Sequence, residues 1–203
     1  ALYTWGNNAV GQLGLDLSGL VPNVIGTSSW TAIATGTDYT LAIRTDGALF
    51  AWGNNAQGQL GDGTTTTRSS PVQIGTSSWI AVKAGQSHTA AIRSDYKLFT
   101  WGLGTAGQLG DGTIVSKSSP VQIGTSSWTA IAAGGASVAA IRLGGSLFSW
   151  GSNSNGELGL GDTTARSSPV QVGTSSWIAV GKGAQHTLAI RSDNMSVSYT
   201  HLR

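Results

Sequence analysis

With 203 residues the chain is long enough for one domain or one tandem array. Only 10% of its residues are charged, 11 cations stand against 9 anions, and no polybasic run occurs, so nucleic acid and anionic membranes have no electrostatic support as partners. Cysteine is absent, which removes disulfide frameworks and thiolate metal sites, and no apolar run reaches the ~18 residues of a membrane span.

The first element, Leu2-Tyr3-Thr4-Trp5-Gly6, sets an aromatic ring two residues before a tryptophan. That alternation reads as a strand, ended by glycine. It returns from Leu49 to Gly53, Leu98 to Gly102 and Leu147 to Gly151. Next comes Gly11-Gln12-Leu13-Gly14, with copies at 58–61, 107–110 and 156–159, the last carrying Glu157 in place of Gln. Two glycines around one leucine predict a tight loop. Its Leu plugs a gap between neighbouring sheets, and its Gln bonds loop backbone. Polar, Thr/Ser/Gly-rich stretches follow at 62–70, 111–119 and 161–168 and read as exposed loop. Repeat one is two residues shorter here, where length changes are cheapest.

Pro22, Pro71, Pro120 and Pro169 each head a short segment such as Pro71-Val72-Gln73-Ile74. A proline in that place fits an edge strand, where its missing N–H is not needed. Gly-Thr-Ser-Ser then delivers Trp30, Trp79, Trp128 and Trp177, each 49 residues after the one before. A fixed step over four copies makes this a tandem-repeat protein. The strand that each of these tryptophans starts is apolar on both faces, as in Trp79 to Gly85, and is therefore covered on both. Ala34, Ala132 and Gly181, four places after the Trp, suit strands crowding a common axis. The last strand runs from Thr40 to Arg44, with copies ending at Arg93, Arg142 and Arg191. Asp46-Gly47 and Gly144-Gly145 fit two-residue hairpins, whose central residues need positive φ. Asp193-Asn194 stands at the same place, and Asp95-Tyr96 is expected to be strained.

These elements predict an all-β chain of four tandem repeats, about 2–48, 49–97, 98–146 and 147–195, with four-stranded antiparallel blades. One such blade cannot cover its own apolar faces, so neighbours must stack, and a β-propeller follows. The eight tryptophans, Trp5, Trp30, Trp52, Trp79, Trp101, Trp128, Trp150 and Trp177, fall at two repeat positions and are assigned to the inter-blade core. The chain starts with the third and fourth strands of a repeat and stops after the first two, giving three complete blades and two halves. Those halves could pair into a small four-bladed ring; blade geometry like that of larger propellers leaves an open arc instead, which is the expectation. Starting at Ala1 inside a repeat, the chain is expected to be a piece of a parent with further repeats. The tail 196–203, ending Val197-Ser198-Tyr199-Thr200-His201-Leu202-Arg203, belongs to no repeat and reads like one translated frame of a transposase-type sequencing adapter. It is expected not to be natural sequence.

Trp-Gly-Asn-Asn-x-x-Gly-Gln-Leu-Gly, then Pro-Val-x-Ile, then Trp-x-x-Ile/Val with Gly and His-Thr, resembles the regulator of chromosome condensation repeat. The resemblance covers about residues 1–195 and extends to the superfamily of β-lactamase inhibitory propeller proteins. It implies a propeller, usually of seven four-stranded blades, of which this chain is a partial version. His88 and His186 match the family pattern, whereas Tyr39 and Ser137 stand at the other two copies. No copy of the wedge insertion used by members acting on the Ran GTPase is present.

Catalysis has little to stand on. Glu157 is the single glutamate and sits at a structural loop position. The aspartates fall mainly in turns, where they bond their own backbone. His88 and His186 are assigned to backbone contacts, and no catalytic, cofactor-binding or metal-ligating residue is assigned. Arg44, Arg93, Arg142 and Arg191 occupy one strand end in all four copies. They either pair with Asp46, Asp95 and Asp193 or form an arc of charge that docks an acidic partner. The expectation is a non-enzymatic scaffold that binds a protein through the loops of one propeller face, without cofactor. Nucleotide exchange on a small GTPase is the alternative, and a structural module of a bacterial surface or phage virion protein, extracellular or on the virion, is the second.

Overall fold

The computed structural model describes residues 1–15 and 20–192 and, as backbone, the strand Ser196–Tyr199. All regular structure among them is β. Strands β1 (Leu2–Thr4) and β2 (Asn23–Ile25) form a two-stranded partial blade. Blade 2 holds β3 (Trp30–Thr35), β4 (Tyr39–Arg44), β5 (Ala48–Gly53) and the first half of β6 (Arg68–Ala84). The second half of β6 opens blade 3, which continues through β7 (His88–Arg93), β8 (Leu98–Gly102) and β9 (Lys117–Gln122). Blade 4 has β10 (Trp128–Gly134), β11 (Ser137–Arg142), β12 (Ser146–Gly151) and the first half of β13 (Arg166–Lys182). The rest of β13, with β14 (Thr187–Arg191) and β15 (Ser196–Tyr199), makes a three-stranded last blade.

All neighbours pair antiparallel. Among the described residues no pairing joins β1 or β2 to the last blade, so the array is a partial propeller that does not close on itself. The backbone of β15 pairs with β14, Tyr199 opposite Thr187, just as Trp150 lies opposite Val138 in blade 4. Ser196–Tyr199 thus takes a third-strand place; the rest of the tail lies outside the described residues. So do the Asp193-Asn194 turn and residues 16–19 of the shortened first loop.

The long strands β6 and β13 show what Gly-Thr-Ser-Ser-Trp does. The segment carries the chain from the outer strand of one blade to the first strand of the next, and hydrogen bonds sew it to the β4–β5 type of turn. Trp79 N donates to Gly47 O at 2.8 Å and Ser94 N to Ser78 O at 2.9 Å. A Cβ at Gly47 would sit 2.1 Å from Ser78 Oγ, so the turn needs glycine for space as well as for its φ of 85°. Tyr96, at φ 64°, is the non-glycine residue with positive φ among those described, which places the expected strain of the Asp95-Tyr96 turn on its tyrosine.

The apolar residues form cores between blades. Leu41, Ile43 and Leu49 of blade 2 meet Trp79, Phe99 and Trp101 of blade 3. Ile92 and Leu98 of blade 3 meet Trp128, Phe148 and Trp150 of blade 4. The rings meet edge-on or tilted: Trp79 lies 5.3 Å from Phe99, and Trp128 lies 5.6 Å from Phe148 and 6.2 Å from Trp150. Trp52, Trp79, Trp101, Trp128, Trp150 and Trp177 are buried, and Trp30 is half-buried. Trp5 corrects the expectation of eight core tryptophans, for it is 62% exposed. The buried third-strand tryptophans Trp52, Trp101 and Trp150 are each covered by the Gly-Gln-Leu-Gly loop one repeat earlier.

That covering is a hydrogen-bonded latch. The backbone carbonyl of Gln12 accepts from Trp52 Nε1 and Thr40 Oγ1, both at 2.9 Å. Gln59 O does the same for Trp101 Nε1 at 2.9 Å and Thr89 Oγ1 at 2.8 Å, and Gln108 O accepts Trp150 Nε1 at 3.1 Å. The second glycine of each loop lies flat against the same indole: a Cβ at Gly61 would be 2.6 Å from Trp101 Nε1, and at Gly110 2.5 Å from Trp150 Nε1. The Gln side chains bond loop backbone, as from Gln57 N to Gln59 Oε1. Glu157 accepts the corresponding bond from Asn155 N.

Candidate partner-binding faces

Antiparallel blades divide the loops between two faces. One carries the loops after each first strand and the long loops 54–67, 103–116 and 152–165 after each third strand. The other carries the β4–β5 type of turn and the Gly-Thr-Ser-Ser hinges.

The four arginines lie on the hinge face, each opposite its hinge tryptophan: Arg44 by Trp30, Arg93 by Trp79, Arg142 by Trp128, Arg191 by Trp177. Arg44 grips Asp46 through Nη2 at 2.6 Å and Nε at 3.1 Å. Arg93 grips Asp95 at 2.6 and 3.0 Å. The guanidinium beside each carboxyl holds Asp46 and Asp95 down to about 2, and Arg44 and Arg93 are raised in turn. Of the two alternatives, pairing with aspartate is what these two positions show, and an arc of charge is neutralised within its own blade there. Arg142 has Gly144 where the others have Asp, and it stacks 3.8 Å from the Phe148 ring centre.

The opposite face carries a second repeating ion pair, from the loop aspartate to the head of the outer strand. Arg68 meets Asp62 at 2.6 Å, Arg166 meets Asp162 at 2.6 Å, and Lys117 meets Asp111 at 3.7 Å. Burial pushes the Asp62 carboxyl up, but hydrogen bonds from Thr64, Arg68 and Asn55 outweigh it and hold the group below its usual range. Asn55 organises the same loop. Its Oδ1 accepts from Leu60 N at 3.0 Å and its Nδ2 donates to Thr66 O at 3.0 Å. Asn153 repeats both bonds, whereas Gly104 stands there in blade 3. Sequence reasoning did not assign these asparagines, nor the threonines that complete the latch; their return at a 49-residue step was the available signal.

His88 is buried with neither ring nitrogen on a well-formed hydrogen bond. Burial, opposed by the backbone of Ser137 and aided by the charge of Lys182, pushes it down to about 4. Its sibling Tyr39 donates its hydroxyl to His88 O in the next blade. A backbone bridge runs beside them: Thr37 N reaches Gln86 O at 3.4 Å and Gln86 N reaches Gly135 O at 2.9 Å. His186 sits over Gly183 in the last blade and is exposed.

Against these framework contacts one loop tip differs. Ile114 and Val115 stand 65% and 57% exposed where the preceding repeat carries Thr65 and Thr66. No helix among the described residues is long and apolar enough to cross a membrane.

The regulator of chromosome condensation (RCC1) repeat model matches residues 1–43, 46–92, 96–141 and 144–190. A second model of that repeat matches 30–59 and 128–157. No curated protein matches the chain. Among solved structures, human WBSCR16 is 28% identical with a TM-score of 0.79 over 91% of this chain and 51% of that one. Prp20p from Saccharomyces cerevisiae, described with its binding properties to Gsp1p and histones, is 24% identical with a TM-score of 0.76 over 90% and 48%. Yeast RCC1 (Prp20) bound to Kap60 is 23% identical with a TM-score of 0.75 over 88% and 45%. The chain spans about half the length of these structures.

Proposed function

The chain belongs to the regulator of chromosome condensation (RCC1) repeat family, and we propose that it is a non-catalytic scaffold that binds a protein partner through the long loops of one propeller face. The observation that carries this is the exposed Ile114-Val115 pair, raised on a loop whose Asp111 carboxylate accepts from Thr113 N and whose Gly112 N donates to Ser167 O of the next blade. A rigid base with a variable apolar tip suits recognition, since exposed apolar side chains on ordered loops desolvate cheaply against a complementary surface. The ionisable groups on the same face support binding over chemistry, because Asp62, Asp111 and Asp162 already serve Arg68, Lys117 and Arg166. Ile114→Thr with Val115→Thr copies the sibling loop. It should leave the melting temperature unchanged and lower recovery of associated proteins in affinity purification from the source cells. Equal recovery by variant and parent would remove this reading.

Nucleotide exchange on a small GTPase is the second reading, supported by the likeness to Prp20p with its binding properties to Gsp1p. A nucleotide-release assay separates the two: accelerated release at catalytic amounts of the chain supports exchange and counts against the scaffold.

A further inference from the structure

Arg44 and Arg93 show how this strand end treats a guanidinium. In both, the edge formed by Nε and Nη2 is filled by a carboxylate two residues on, at 2.6–3.1 Å. In blade 4 the place of that aspartate is Gly144, at φ 102°, which has no carboxylate to offer. Arg142 Nε is buried without a hydrogen-bond partner. Free of the turn, the guanidinium lies 3.8 Å from the Phe148 centroid and 5.1 Å from Trp128. Arg44 and Arg93 keep 5.0 and 4.7 Å from their phenylalanines.

This shift puts Arg142 into the wall of a cleft of about 530 Å³ between blades 3 and 4, with Asp111, Lys117, Ile123, Trp128 and Pro169. The corresponding cleft one blade earlier, about 380 Å³, is lined by Asp62, Ile74, Trp79 and Phe99 and has no arginine in its wall. Lys117 is also held more loosely than its sibling, 3.7 Å from Asp111 against 2.6 Å for Arg68 and Asp62. The later cleft thus adds Arg142 to the Asp111–Lys117 pair, and the Arg142 Nε–H lacks an acceptor. A guanidinium in that state gains most from a planar anion that takes its edge side-on.

We propose that this cleft binds a carboxylate ligand, seated on Arg142 as Asp46 and Asp95 are seated on Arg44 and Arg93. The site stands apart from the scaffold reading, because its probe is a small molecule and needs no partner. The full chain, labelled with nitrogen-15, is titrated with N-acetylaspartate amide while the arginine Nε–H and tryptophan indole resonances are followed. The Arg142 resonance should move saturably, with a Kd of about 1–10 mM, and Arg44 and Arg93 should stay still. Arg142→Gln should abolish the saturable shift at the Trp128 indole. Gly144→Asp, which tethers a carboxylate beside the guanidinium, should weaken binding about tenfold and draw Arg142 back toward the place its siblings take. An aspartyl peptide that binds more tightly than the single residue assigns the site to acidic chain segments; equal affinity assigns it to free carboxylates. No shift up to about 50 mM, or an equal shift from the asparagine analogue or chloride, overturns the proposal.

Discussion

Replacing Trp128 by alanine tests whether blades are held by their shared ring clusters. Trp128 is 1% exposed and meets Phe148, Trp150 and Arg142. A tryptophan burying ~250 Å² contributes about 6 kcal/mol at ~25 cal/mol per Å², an upper figure before side-chain entropy and relaxation are subtracted. The expected cost of Trp128→Ala is therefore ~3–5 kcal/mol, enough to unfold at least blade 4. Trp5 supplies the control, since at 62% exposure it keeps little more than a third of that contact. Trp5→Ala should cost ~1–2 kcal/mol. Urea melts read both, with tryptophan fluorescence and far-ultraviolet circular dichroism recorded together so that loss of a single blade shows as non-coincident transitions. A Trp128→Ala loss below ~1 kcal/mol, or equal losses for the two variants, would refute the inter-blade assignment.

His88 makes stability pH-dependent in a defined direction. Burial lowers its folded value to about 4 from an ordinary 6.5, so between those values the unfolded chain binds the extra proton. Its contribution is fully present above pH ~6.5 and is lost as pH falls through ~4, a swing of about 3 kcal/mol; His88→Tyr, borrowing the residue of blade 2, should flatten that part of the denaturation profile. Gly110 and Gly156 share a φ of 74°, yet a Cβ at Gly110 meets Trp150 Nε1 at 2.5 Å whereas one at Gly156 meets nothing within 4 Å. Gly110→Ala should therefore cost ~1–3 kcal/mol more than Gly156→Ala in thermal melts, and equal costs would mean that backbone strain alone sets the requirement. Thr89→Val should lower stability by about 1 kcal/mol by removing one of the two donors to Gln59 O, with a larger loss in a variant already lacking the Trp101 indole N–H, where the carbonyl would keep neither donor.

The 49-residue step made the blades legible, because strand alternation, Asp-Gly turns and edge prolines each recur at the same offsets and agree with one another. The same pattern hid what depends on position in the array rather than on residue type. Trp5 and Trp52 are indistinguishable as letters, yet one is exposed and the other lies under the Gln12 carbonyl. The loop glutamine was legible as a backbone-bonding side chain, whereas its carbonyl, the actual inter-blade acceptor, belongs to the main chain and leaves no mark on residue choice. What does leave a mark is the donor: Thr40, Thr89 and Thr187 recur because each reaches that carbonyl, and Val138 breaks the series where Gln108 O keeps only its tryptophan.

The arginines show how such departures carry information that the repeat itself does not. Arg44 and Arg93 predict each other completely, down to the carboxylate two residues on and the ring beneath, and a residue so determined has no freedom to serve anything else. Arg142 keeps the ring and loses the carboxylate, while Val115 and Ile114 keep the loop and lose its polarity. Both departures fall in blade 3 or at its boundary with blade 4, on a framework that keeps the Asp111–Thr113 turn and the Gln108–Trp150 bond. Ile114 and Val115 stand outside the buried clusters and Arg142 adds only its stacking on Phe148 and Trp128, so substitutions there are expected to change binding more than folding. If Ile114→Thr, Val115→Thr and Arg142→Gln instead lowered the denaturation midpoint by as much as Thr89→Val, the departures would be repairs to packing, and blade 3 would be no better a recognition site than blade 2.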